Sequence, residues 1–396
     1  MKTYDSSSSR NEGRPGTAKR RGLFRSVVAI AVLYFLATTP SHSAIEIYTG
    51  SGDLNDKKSW APENIPTGSD EAVFIIGNST ITSTGSLNFG DIVWNNNTSA
   101  SISLKASGII RYLTLSGGGG STAAFLAGGS SGDLVLMGNS AKTNTLKFNA
   151  IPGNGELQIK LDADGNFNVL NSGATLDIST VITGTKSFAK TGNGMLILGA
   201  NNTYTGSTTI KSGTLKANAK NALGATSVIN VQGGSLLVAA SETLNDKANI
   251  VMGNAKIEMS GQNITERVGA LTLTGNSVID VRELQGSNNS LYFASSYIKQ
   301  GWATNTKLSI WNWDFSGTNH IYFGTDSQGL SEAQLQKISF YSDFGNSFIG
   351  NAFISNNGEI TTVPEPQTIV VAILLLLGLS GMWMARSERK PPQSTE

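Results

Sequence analysis

Residues 190–216 read Lys190-Thr-Gly-Asn-Gly-Met-Leu-Ile-Leu-Gly-Ala-Asn-Asn-Thr-Tyr-Thr-Gly-Ser-Thr-Thr-Ile-Lys-Ser-Gly-Thr-Leu-Lys216. A turn glycine, Gly194, opens a short run in which every second residue is aliphatic. Polar residues follow, and Gly213 then opens another such run. Alternation with period two is the pattern of a half-buried strand, and glycine and asparagine between runs are turn formers. The same unit recurs outward in both directions. It opens at Gly85, Gly108, Gly132, Gly155, Gly173, Gly194, Gly213, Gly234, Gly253 and Gly275, with a spacing that averages about 21.

A period near 21 with several short strands per unit predicts a β-solenoid. No single turn of chain can bury its apolar face. Stacking turns about 4.8 Å apart pairs the strands in parallel and builds one continuous aliphatic core. Ten to fourteen turns would make a rod of roughly 50–65 Å at that spacing. The array is placed at 85–282, with the best-formed repeat at 186–217.

That repeat closely resembles the autotransporter-associated β-strand repeat, with Gly192, Gly194, Asn202, Tyr204, Gly206, Gly213 and Leu215 at its pattern positions. The resemblance implies a right-handed parallel β-helix of the kind found in bacterial surface passengers. It is direct only over this one copy, and the other turns are degenerate. A true autotransporter also carries a large C-terminal outer-membrane barrel. Nothing of that kind is read here, so self-translocation is not carried over.

The ends read as targeting segments. A basic stretch containing Lys19, Arg20, Arg21 and Arg25 precedes the apolar run 27–37 and then Thr39-Pro40-Ser41-His42-Ser43-Ala44. Basic, apolar and small residues in that order predict a secretory signal peptide over 1–43, cleaved between Ser43 and Ala44. An uncleaved anchor is the alternative. At the other end Val363-Pro364-Glu365-Pro366 leads into the uncharged segment 368–385, followed by Arg386, Arg389 and Lys390. At about 1.5 Å rise per residue that segment spans about 27 Å, enough for the hydrocarbon core, and the basic tail would stay cytoplasmic. The three parts over 362–390 resemble a PEP-CTERM sorting signal. The resemblance implies that Val363, Pro364, Glu365 and Pro366 are read by an exosortase-type enzyme at the inner membrane.

With those ends set aside, the remaining 19 basic and 23 acidic residues give a net charge of about −4. Nucleic acid is therefore not an expected partner. The expected ones are the secretion machinery and signal peptidase, the sorting enzyme, the membrane and an exopolysaccharide. Zero cysteine and two histidines remove thiolate metal sites, cysteine nucleophiles and histidine triads. No catalytic residue, metal site or cofactor is expected. The acidic pair in Asp162-Ala-Asp164-Gly-Asn166 reads as a turn, because the further ligands of a calcium loop are absent.

Two regions flank the array. Residues 44–84 are expected to cap its first turn, since open β-edges invite aggregation. Residues 283–361 are rich in aromatics and are expected to cap the last, with a capping box at Ser331-Glu-Ala-Gln334 opening a short helix. Trp311 and Trp313 are the candidates for a sugar platform there. The expectation is thus an all-β, exported, non-enzymatic surface protein, structural or adhesin-like. The alternative is a polysaccharide-binding or polysaccharide-degrading protein of the same architecture.

Overall fold

The computed structural model describes the strands between 45 and 150 together with 56–63 and 65, and residues 157–362 apart from 163, 224, 283–287, 298–300 and 314–317. The predicted signal peptide, its cleavage site at Ser43 and Ala44, the Val363–Pro366 motif and the apolar segment 368–385 lie outside the described residues. Among the described residues no helix is long and apolar enough to cross a membrane.

The fold is an all-β parallel solenoid whose strands stack into three sides. The first sheet runs through Glu71–Phe74, Asp91–Asn95, Leu134–Met137, Gly165–Val169, Phe188–Thr191, Thr208–Ile210, Val228–Val231, Asn249–Met252 and Leu271–Leu273. At its start Ile45–Tyr48 pairs parallel to Glu71–Phe74 and antiparallel to Trp60–Ala61. The second sheet stacks eleven parallel strands among the described residues, from Ser79–Ser83 to Ile338–Ser342. The third side begins as Leu87–Phe89, Arg111–Leu115, Leu157–Leu161 and Ile182–Gly184, becomes irregular, and resumes as Thr265–Val268, Ser290–Phe293 and His320–Phe323.

Register explains why these residues form these strands. In the second sheet Leu176, Leu196, Leu215, Leu236, Ile257, Ile279, Ile310 and Phe340 are successive partners, and all are fully buried. The parallel ladder lays each aliphatic side chain on the one below. Burial of such side chains is worth about 1.5–3 kcal/mol each, which a lone turn could not obtain.

The glycine-led spacing holds over part of the chain. The runs opening at Gly173, Gly194, Gly213, Gly234, Gly253 and Gly275 are consecutive strands of the second sheet, each paired with the next. The runs from Gly85, Gly108 and Gly155 lead into the third side instead, and the run from Gly132 into the first sheet. Even spacing there joined strands from different sides. The turn from Arg111 to its partner Leu157 is more than twice as long as a regular one.

The ladder also continues past residue 282. Leu308–Trp311 and Ile338–Ser342 extend the second sheet in parallel. Ile279 pairs with Ile310 and Ile310 with Phe340, so each step uses about half as much chain again as a regular turn. Closure comes from Ser347–Ile354, antiparallel to Ile338–Ser342, and from Glu359–Thr362, antiparallel to both Ser347–Ile354 and His320–Phe323. The helix Glu332–Leu335 carries the capping box expected at Ser331 and Gln334.

Candidate functional site

The repeat-motif residues hold one turn on the next. Gly213 has φ +65°, and a Cβ there would stand 2.4 Å from the Gly194 carbonyl oxygen. Gly206 is constrained by approach alone, since its Cβ would meet the Lys186 carbonyl oxygen at 2.1 Å. Asn202 is buried and spans three turns: its Oδ1 accepts from the Ile182 N–H at 2.8 Å and its Nδ2 donates to the Ala222 carbonyl at 2.9 Å. Tyr204 is fully buried beside Phe188, and its hydroxyl shares a 2.7 Å hydrogen bond with Thr208, itself bonded to Thr226 at 3.0 Å. Gly192, with φ +73°, and Gly194 pack against the turn below, and Leu215 is in the core. The motif residues are brought together as a folding device.

Two charged groups occupy core columns. Lys190 sits between Phe167 and Ile210 in the first sheet, where burial lowers its pKa to about 8. Its Nζ donates to the carbonyls of Thr191 at 2.7 Å, Gly192 at 2.8 Å and Ser212 at 3.3 Å. Glu266 occupies the inward column that continues as Leu291 and Ile321. Burial raises its pKa to about 7, although it accepts from the Thr243 N–H and hydroxyl and from the Leu244 N–H. Both close the gap between adjacent turns where no strand partner is available. Alternation alone did not reveal them, because each breaks the apolar pattern at its position.

The sequence candidates separate. Trp313 is 6 % exposed and packs edge-on against Phe340, with ring centroids 4.7 Å apart. Trp311 is half-buried, and its ring lies so close to Gly345 that a Cβ there would stand 2.5 Å from it. The two do not share an open face, so the pair forms no sugar platform; aromatics at this end fill the core of the long turns first. In the acidic stretch, Asp164 accepts from the Ser187 N–H of the next turn at 2.8 Å and Asp162 pairs with Lys160 at 3.3 Å, so each carboxylate has its own partner. Among the described residues no group of His, Asp and Glu is placed to hold a metal ion.

Two outward-facing columns carry chemistry, the first with its carboxylates, Glu258 and Asp280, buried beneath their partners. On the second sheet, Glu258 and Asp280 are neighbours in register, and Lys256 reaches both while Arg282 bonds Glu258 at 2.7 Å. Asn312 also donates to Asp280 at 2.7 Å, so each carboxylate is matched by a cation or an amide. On the third side, Arg267, Tyr292, Tyr322 and Glu359 are successive partners. The tyrosine rings stack at 4.4 Å with 3° between planes, and the Arg267 guanidinium lies 4.7 Å over Tyr292. The Tyr322 phenol is pushed up by burial and by the nearby Glu359 carboxylate. Arg267 and Tyr292 also line a groove of about 910 Å³, together with Tyr297, 44 % exposed, Asp246 and Asp326.

Comparison with known proteins places the repeat. Residues 188–217 match the passenger-associated-transport-repeat family. Over 145 residues, 34 % of this chain, the sequence is 30 % identical to the Adhesin BmaC autotransporter of Brucella suis biovar 1 (strain 1330). The chain spans 4 % of that relative's length. No solved structure matches.

Proposed function

We propose that the chain is an exported, adhesin-like protein of the bacterial cell surface or extracellular matrix, with a structural rather than enzymatic role. The observation that carries this reading is the passenger repeat itself, seated at 188–217 as one turn of a continuous parallel ladder. Similarity to a protein named as an adhesin autotransporter supports it, as does the mildly acidic body. The right-handed coil implied by the repeat belongs to the same reading. So does a PEP-CTERM route: secretion with cleavage after Ser43, arrest through residues 368–385, and recognition of Val363–Pro366 by an exosortase-type enzyme.

The test is protease shaving of intact cells that produce the chain, combined with adhesion of those cells to a solid surface. Loss of the protein from shaved cells, and adhesion that disappears with the gene, are expected; a protein protected inside the cell would contradict the reading. The sorting step has its own test. Val371→Arg adds about 2.5–3.5 kcal/mol to membrane insertion and is expected to deplete the precursor from the membrane fraction. An unchanged fractionation would remove the C-terminal anchor from the account. A second reading, polysaccharide binding, is favoured by the open groove on the third side.

A further inference from the structure

The two long turns build a feature that the regular turns lack. Beyond the outward tyrosine row, the chain of each long turn leaves the sheet through the segments around Ala294–Tyr297 and Gly324–Gln328, and these form the walls of the 910 Å³ groove. The second wall is braced, with Asp326 Oδ1 accepting from the Gln328 N–H at 2.8 Å and its carbonyl from the Gly329 N–H at 3.2 Å. The faces of Tyr292 are covered by Tyr322 on one side and Arg267 on the other. What Tyr292, the tyrosine of the row that lines the groove, offers to a ligand is therefore its ring edge and phenol hydroxyl. Tyr297, 44 % exposed, supplies a further aromatic surface.

We infer that this groove is a binding site for an extended neutral polysaccharide lying along the solenoid axis, and so is the adhesive surface that the adhesin reading requires. A pyranose ring presents apolar C–H faces and a hydroxyl rim. An exposed tyrosine takes the former, while carboxylates and phenols accept from and donate to the latter. Asp246 and Asp326 are placed to accept sugar hydroxyls in charge-assisted hydrogen bonds, and Arg267 to donate to them. The solenoid repeats every ~4.8 Å, close to the length one ring adds to an extended chain, so successive turns meet successive sugars. The volume lies within the usual range for ligand pockets, about 300–1,000 Å³. Two lining carboxylates against one guanidinium, itself held over Tyr292, oppose a polyanion.

Isothermal titration of the purified full chain in detergent with cellohexaose tests this, with a galacturonate hexamer as the charged control. Saturable binding of cellohexaose is expected, with the uronate at least tenfold weaker. Tyr297→Ala and Asp246→Ala are each expected to weaken binding at least tenfold while leaving the thermal midpoint unchanged, since both side chains are exposed. Failure of cellohexaose to bind, equal binding of the uronate, or unaltered binding by both variants would overturn the inference. Cells that adhere although cellohexaose does not bind would sink the groove and leave the adhesin reading standing. Binding by a chain that shaving finds inside the cell would sink that reading and leave the groove.

Discussion

Between Thr175 and Asp280 the second sheet gains one rung with each glycine-led unit, and its inward column is leucine and isoleucine from Leu176 to Ile279. From Ser277 onward each rung takes about half as much chain again, and the columns turn aromatic. Leu291 and Ile321 are joined by the stacked pair Phe293 and Phe323, and Ile310 is followed by Phe340. The strands of the second sheet stay four or five residues long in both regions. Lengthening therefore goes into the connections, which cost little closure entropy per added residue. Those connections are what stand out from the solenoid as the walls of the groove. The regular turns carry the fold, and the relaxed turns are where a surface with its own shape arises.

The difference can be broken most severely from its aromatic side. Phe340→Ala is expected to cost about 3–5 kcal/mol, because Phe340 is fully buried and supports both Ile310 and Trp313. Hydrogen exchange should show the loss of protection concentrated beyond residue 300, with the turns at 175–260 retained. Uniform loss along the chain would mean that the two regions unfold as one unit.

A second effect sits where the regions meet. Glu266 has its folded pKa raised to about 7 from an ordinary carboxylate value near 4.5. Its burial is tolerated best when protonated, so stability is fully present below pH 4.5 and falls as pH rises to about 7. The loss is on the order of 3 kcal/mol. Glu266→Gln should flatten that slope in urea titrations at pH 5 and pH 8.

Lys190 lies wholly within the regular turns and shifts the opposite way. Its folded pKa falls to about 8, so the penalty for burying the ammonium is present below pH 8 and is relieved between pH 8 and the ordinary lysine value near 10.5. Stability should rise over that window by about as much as it falls for Glu266, since the two shifts are of similar size and opposite sense. Lys190→Met should abolish the rise. At the small end, Lys220→Ala removes an ion pair with Glu242 that is open to solvent and is expected to leave the thermal midpoint unchanged.

The regular region was legible in the sequence because one signal, glycine followed by alternation, coincided with one physical unit. Gly173 to Gly275 mark true successive rungs for that reason. The signal misled before Gly173, since a glycine-led strand looks alike on any side of a solenoid, and only pairing tells Gly132 from Gly155. The capping box at Ser331 was also readable, being local. The candidate site was not. Arg267, Tyr292 and Tyr322 lie far apart along the chain, and only the longer step of the late turns brings them into a row. Trp311 and Trp313 looked like a platform because aromatic identity is visible in sequence. The inward or outward direction of each ring, in turns of unknown length, is not.

One register runs through both regions, and cross-linking tests it directly. The chain has no cysteine, so paired substitutions report without background. Ser309 and Ser339 are partners across the long turn, and Ser235 and Lys256 across a regular one. Neighbours in a parallel ladder stand about 4.8 Å apart, within disulfide reach. Ser309→Cys with Ser339→Cys is predicted to form a disulfide on mild oxidation as completely as Ser235→Cys with Lys256→Cys, and Ser309→Cys with Phe340→Cys to fail. Oxidation of the regular pair alone would contradict the continuous solenoid and leave the aromatic turns, and the groove they build, without their foundation.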